Sequence, residues 1–147
     1  MTNRTRRAAL GSLAVWALAA AYPAAAVAAE FDGSRSLLCA PVDVAECGIG
    51  PKCTSATLEE ANVPHFIRVD FKAKKLSGRD HEGDVESTPI QNVRSVNGAT
   101  ILQGAESGRA WSLVVDHDTG QMMGSVTGFT PTEERLGFLL FGACTAD

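Results

Sequence analysis

Aromatic side chains are scarce in this sequence, at 6% of its 147 residues. After residue 29 there is one Trp, Trp111, and no Tyr. Sugar platforms and base-stacking surfaces are built on aromatic rings, so both are disfavoured. Clustered basic residues are missing too: Lys72, Lys74 and Lys75 form the densest group. Nucleic-acid binding draws on many Lys and Arg contacts to phosphate, so nucleic acid is an unsuitable partner. There is no Cys-x-x-Cys, because five residues separate Cys47 from Cys53, which speaks against thiol redox catalysis. Zinc held by cysteines wants paired short spacings, and only one short spacing exists. No Gly-x-Ser-x-Gly surrounds Ser112, so a nucleophile elbow is absent. No His-Glu-x-x-His occurs, and the glycines match no phosphate loop.

Charge is also missing from one end. Arg4, Arg6 and Arg7 are the only charged side chains before Glu30. An Ala/Leu/Val-rich run extends from Ala8, is broken by Pro23, and closes on Ala26-Val27-Ala28-Ala29. A basic start, an apolar middle and a small-residue end describe a cleaved signal peptide over residues 1–29. Spanning a bilayer takes about 20 apolar residues, and Pro23 interrupts this run, so no membrane span is expected after cleavage. Cleavage after Ala28 or Ala29 leaves a single domain over residues 30–147. Losing those 29 residues and their three arginines leaves 118 residues, with 10 Lys+Arg against 17 acids and a net charge of −7. The expected location is periplasmic or secreted.

Four cysteines are present: Cys39, Cys47, Cys53 and Cys144. An even count in an exported chain reads as disulfides. Of the three possible pairings, Cys47–Cys53 with Cys39–Cys144 is preferred. Gly48, Gly50 and Pro51 let the chain turn back between the first pair, and the second would tie the first strand to the last.

Along the rest of the chain the dominant period is two. Leu37-Leu38-Cys39-Ala40 lies within a strand expected between Phe31 and Val44, and residues 46–57 read as loop. Thr57-Leu58-Glu59-Glu60 resembles a capping box. Pro64 restricts any helix begun there to one or two turns, so one short helix is expected over residues 57–62. Ile67, Val69 and Phe71 alternate with Arg68, Asp70 and Lys72, as in a half-buried strand. Lys74–Ser77 pairs back, and Val85–Val93 is extended with an edge or break at Pro89. Asn97-Gly98 is a strong hairpin signal, and Ser107-Gly108 turns again. Trp111, Leu113 and Val115 share one face of the next strand, and Asp116–Gly120 turns into a strand over Gln121–Phe129. Pro131 opens a turn. Leu136–Cys144 is apolar on both faces, which predicts a central strand covered on both sides.

Seven or eight strands with short polar turns predict an all-β antiparallel meander. Closure would remove exposed edges, so the expected fold is a small up-and-down, lipocalin-like barrel. The alternative is an open twisted sheet or sandwich.

Three clusters invite chemistry and are read as structural. Asp80, His81, Glu82 and Asp84 could ligate a metal but lack a fixed ligand spacing, and a solvated hairpin tip explains them. Asp116-x-Asp118-x-Gly120 begins like a calcium loop, yet Gly128 stands near where a bidentate acid is needed. His117 has acids on both sides, but strand neighbours point to opposite faces. His65, after Pro64, is read as a structural histidine. No catalytic residue, metal site or cofactor is assigned. The residues singled out are the four cysteines as staples and Trp111 in a core or pocket.

A set of short patterns resembles a group of short exported bacterial proteins. They are Phe31-Asp32-Gly33-Ser34 with Leu37-Leu38-Cys39, the run Pro64–Phe71, Leu102-Gln103-Gly104 with Gly108-Arg109-Ala110-Trp111-Ser112, and Phe141-Gly142-Ala143-Cys144-Thr145. The resemblance covers most of residues 30–147. It implies export and supplies no activity, so it assigns no site residue. The reading favoured by the whole sequence is a non-enzymatic envelope protein that binds a small apolar molecule or a protein partner. The alternatives are a secreted hydrolase or enzyme inhibitor, and a structural or stress-related envelope protein.

Overall fold

The computed structural model describes residues 30–48, 52–129 and 135–147. The expected signal peptide lies outside the described residues, as do Gly50, Pro51 and the Pro131 turn. Ten strands are formed among the described residues: β1 (Leu37–Cys47), β2 (Cys53–Ala56), β3 (Ile67–Asp70), β4 (Lys75–Arg79), β5 (Val85–Pro89), β6 (Asn92–Val96), β7 (Ala99–Glu106), β8 (Arg109–Asp116), β9 (Gln121–Phe129) and β10 (Arg135–Ala146). They join one antiparallel sheet in the order β5-β4-β3-β1-β10-β9-β8-β7-β6. The far edge of β1 is shared, with Leu37–Cys39 pairing β3 and Val44–Cys47 pairing β2. The loop expected over residues 46–57 therefore contains a short strand.

Turn chemistry sets the hairpins. Asn97-Gly98 and Ser107-Gly108 have positive φ at both positions, 48° and 79° in the first and 49° and 76° in the second. That is the turn whose twist matches the flanking strands. The alternation predicted for Trp111, Leu113 and Val115 places them on the concave face.

The sheet curls strongly but stays open, so the expected closed barrel is replaced by a half-barrel. The open seam lies between β5 and β6, which are consecutive in the chain. Only Ile90 and Gln91 connect them. A hairpin here would need residues that accept positive φ, and Pro89-Ile90-Gln91 supplies none. The chain instead rounds a corner. The Ile90 amide donates to the Lys74 carbonyl (2.8 Å) on one side, and the Gln91 amide donates to the Gln103 carbonyl (2.9 Å) on the other. Gly104 makes this crossing possible, because a Cβ there would overlap the Pro89 carbonyl oxygen and the Trp111 ring.

The expected helix over residues 57–62 is not formed. The segment is a run of turns, with the Ala61 amide bonded to the Thr57 carbonyl (3.1 Å) and the Val63 amide to the Leu58 carbonyl (2.8 Å). Its capping box does form: the Glu60 amide donates to Thr57 Oγ1 (3.1 Å), and the Thr57 amide to Glu60 Oε2 (2.9 Å). Asn62, at φ 49°, ends the turn before helix propagates, and Pro64 blocks its resumption.

β10 is central in the strand order but covered on one face only. Leu140 and Cys144 are buried, whereas Leu139 and Phe141 are 37% and 40% exposed. Among the described residues the single curled sheet has no second layer for the outer face, so the double cover expected from sequence does not arise there. The inner side chains form two clusters. The larger contains Leu37, Val69, Ile90, Leu102, Leu113, Val115 and Met122 around Cys39 and Cys144. The smaller gathers Val44, Ala61, Val63 and Leu140.

Candidate functional site

Both preferred disulfides are present. Cys39 and Cys144 are direct partners across β1 and β10, with Cα atoms 3.9 Å apart. The Cys144 amide donates to the Gly120 carbonyl at 2.8 Å. Cys47 and Cys53 are direct partners across β1 and β2. Among the described residues there is no free cysteine. Such bridges persist in oxidising compartments outside the cytoplasm.

Between the two core clusters the half-barrel holds a cavity of about 450 Å³ that opens to solvent. Leu113 of the larger cluster and Leu140, Ala61 and Val63 of the smaller one reach its wall, with Leu76, Val126 and Phe138. Its depth comes from glycine. Gly124 stands opposite Leu113 on β8 and Leu140 on β10, where a side chain would otherwise fill the space. Trp111 lines one side. Its indole N–H donates to Thr88 Oγ1 at 3.1 Å across the open seam. The bond gives a part-buried indole the polar partner it needs and fixes the ring's orientation. Polar groups at the rim come from Glu86, Ser107 and Arg109.

The segment over residues 57–64 closes one end of this space. Ala61 and Val63 bury themselves against Val44 and Leu140, so the polar side chains between and beside them face outward. Glu59 meets His65 there, with Oε1 to Nε2 at 3.2 Å. His81, from the β4–β5 tip, joins them with its ring centroid 5.4 Å from that of His65, edge to face. A hydrogen bond from its own backbone amide, and then the neighbouring His65 and His81, hold the Glu59 carboxyl below its ordinary value. This trio was not visible in the sequence, where its members are up to 22 positions apart; Pro64 was the sole clue that His65 would swing back toward Glu59.

Of the acidic tip, Asp80 is committed to the turn itself. Its side chain accepts from the Asp84 amide at 2.8 Å, and the Gly83 amide bonds the Asp80 carbonyl at 3.2 Å. Arg79 also donates to the Gly83 carbonyl. His81 is the member of that sequence cluster that meets outside partners. Asp116 is likewise consumed: its Oδ1 accepts from the Asp118 amide (3.1 Å), the Thr119 amide (2.8 Å) and Thr119 Oγ1 (2.8 Å). These bonds, the Thr119 side chain first, hold its carboxyl below the ordinary value. A calcium loop would need that oxygen for the ion.

His117 sits beside Thr100 and the Phe31 carbonyl. Thr100 Oγ1 donates to that carbonyl (2.9 Å) and lies 2.9 Å from His117 Nε2. A hydroxyl has one proton, so the imidazole must be the donor here. A general base takes a proton from its nucleophile, which is the reverse of this arrangement. Ser112 bonds Ser125 at 2.9 Å, and no histidine stands beside it.

Among the described residues no helix is long and apolar enough to cross a membrane. Comparison with protein-family models, curated proteins and solved structures finds no match.

Proposed function

We propose that this is an exported, non-enzymatic binding protein that holds a small apolar molecule inside the half-barrel. The observation carrying this reading is the cavity of about 450 Å³ walled by Leu76, Trp111, Leu113, Val126, Phe138 and Leu140. Ligand sites are typically concave, about 300–1,000 Å³ and mostly apolar, and this one matches in volume and in its apolar majority, with hydroxyls of Ser77, Ser87, Thr88, Ser112 and Ser125 also in its lining. The paired disulfides support an oxidising location. The commitment of Thr100, His117 and Asp116 to structural hydrogen bonds weighs against the hydrolase alternative. A protein partner is the second reading. Its support is on the outer face, where Met123 and Phe141 are direct cross-strand neighbours, 51% and 40% exposed.

Titration with an environment-sensitive apolar dye tests the first reading. Saturable binding, displaced by alkyl-chain competitors, is expected of the native protein. Gly124→Leu should abolish it, since the added side chain projects between Leu113 and Leu140 while the backbone there needs no positive φ. Dye binding that survives a well-folded Gly124→Leu protein would place the ligand elsewhere and defeat the proposal.

A further inference from the structure

We propose that Glu59, His65 and His81 form a binding site for a divalent transition metal of the zinc class, on the outside of the cavity rim. One ligand atom from each lies within 4.8 Å of the others. Two donors on a tetrahedral zinc ion, at about 2.0–2.1 Å each, stand about 3.3 Å apart. Glu59 Oε1 and His65 Nε2, at 3.2 Å, already have that separation. His81 is on an exposed hairpin tip, and its ligand nitrogen lies within 4.8 Å of the other two donors. The fourth position is open to water, as in other sites with three protein ligands.

A surface ion pair accounts for Glu59 and His65 alone. It gives no reason for a second imidazole to converge on the same carboxylate, and both histidines supply nitrogen donors suited to zinc-like ions. The donor set also selects the ion. Calcium and magnesium want oxygen ligands in larger number, whereas imidazole suits zinc, copper and nickel.

The supports of the three ligands are already in place. Glu59 is carried by the turn that Ala61 and Val63 anchor in the core and that the Thr57–Glu60 capping box closes. His65 comes directly after Pro64. His81 sits in a tip braced by Asp80 and Arg79. Acids crowd the surroundings, with Glu60 beside Glu59 and Asp80, Glu82 and Asp84 around His81, so the local field attracts cations. A bound ion would bridge the residue 57–65 segment to the β4–β5 hairpin, two parts of the cavity wall that are otherwise far apart in sequence.

Equilibrium dialysis of the exported, disulfide-bonded protein against Zn²⁺ alone, with no affinity tag, tests the site. One zinc per chain is expected. His65→Ala and His81→Ala should each weaken it by about tenfold or more, since even the loss of an outer-sphere partner costs a metal site about 10–100-fold. Glu59→Gln should weaken it as well, and His117→Ala should leave it unchanged. The three ligands are exposed, so these variants fold, which near-ultraviolet circular dichroism verifies. Absence of saturable uptake, or uptake unaltered in both histidine variants, overturns the proposal. Displacement of the zinc by equimolar Mg²⁺ or Ca²⁺ would equally overturn it, because that ion preference contradicts an imidazole-based donor set.

Discussion

Thr100 accepts the Nε2–H of His117, because its own proton is given to the carbonyl of Phe31 69 positions away. Thr100 is the fully buried polar side chain among the described residues, and every hydrogen-bonding group it meets is paired through it. Thr100→Val keeps the shape and removes the hydroxyl, leaving the Phe31 carbonyl and the imidazole without their partner. A loss of about 1–3 kcal/mol is expected, read as a lower urea midpoint with an unchanged slope.

Gly104 sits where the chain crosses from one sheet edge to the other. A methyl group there meets the Pro89 carbonyl and the Trp111 ring, and backbone cannot step aside cheaply. Gly104→Ala should cost about 1–3 kcal/mol or more. The accompanying red shift of Trp111 emission, as the indole leaves Thr88, distinguishes this cause from general loosening.

The two disulfides should differ in worth. In the chain-entropy treatment the bridge spanning 105 positions restrains the unfolded chain by about 5 kcal/mol, and the one spanning 6 by about 2 kcal/mol. Replacing Cys39 and Cys144 together by Ala should therefore lower the melting temperature roughly twice as far as replacing Cys47 and Cys53. Calorimetry of the two double variants checks the ranking.

Asp116 should contribute to acid sensitivity. Its native carboxyl titrates below the ordinary value of 3.8, chiefly through Thr119. A group whose native value is depressed stabilises the fold above its unfolded value and loses that contribution as pH falls through the native one. Wild type and Asp116→Asn should thus differ most near neutral pH and converge as pH drops below 3.8. Denaturant midpoints at about pH 7 and about pH 2 give the comparison; a difference that is constant with pH would show that the charge is irrelevant.

Local signals were readable, and of the long-range ones only the cysteine pairing was. Asn97-Gly98 and Ser107-Gly108 carry their turn geometry in their own chemistry. The alternation of Trp111, Leu113 and Val115 reports the face that each occupies, and the cysteine spacing favoured the pairing that forms. What failed depends on partners that no window of sequence contains. Leu136–Cys144 is apolar on both sides, yet Leu139 and Phe141 are exposed because the described residues bring no second layer to the outer face. Residues 57–62 have a true capping box but stop at Asn62. The position of the seam is set by the absence of turn formers at Ile90-Gln91, a negative signal that edge arguments alone overlook. The Glu59–His65–His81 trio arises only when the residue 57–65 segment and the β4–β5 tip are folded together.

The Cys39–Cys144 bridge has a mechanical consequence. Leu37 and Ala146 are paired just outside it, so tension applied to the two ends of the domain would reach the sulfur–sulfur bond after breaking the Phe31–Thr100 bond, that short margin of sheet and the pairing of Leu37 and Leu38 with β3. A single oxidised molecule stretched from its ends should yield by a few residues and then stiffen, and release its remaining 105-position loop only once a reductant is added.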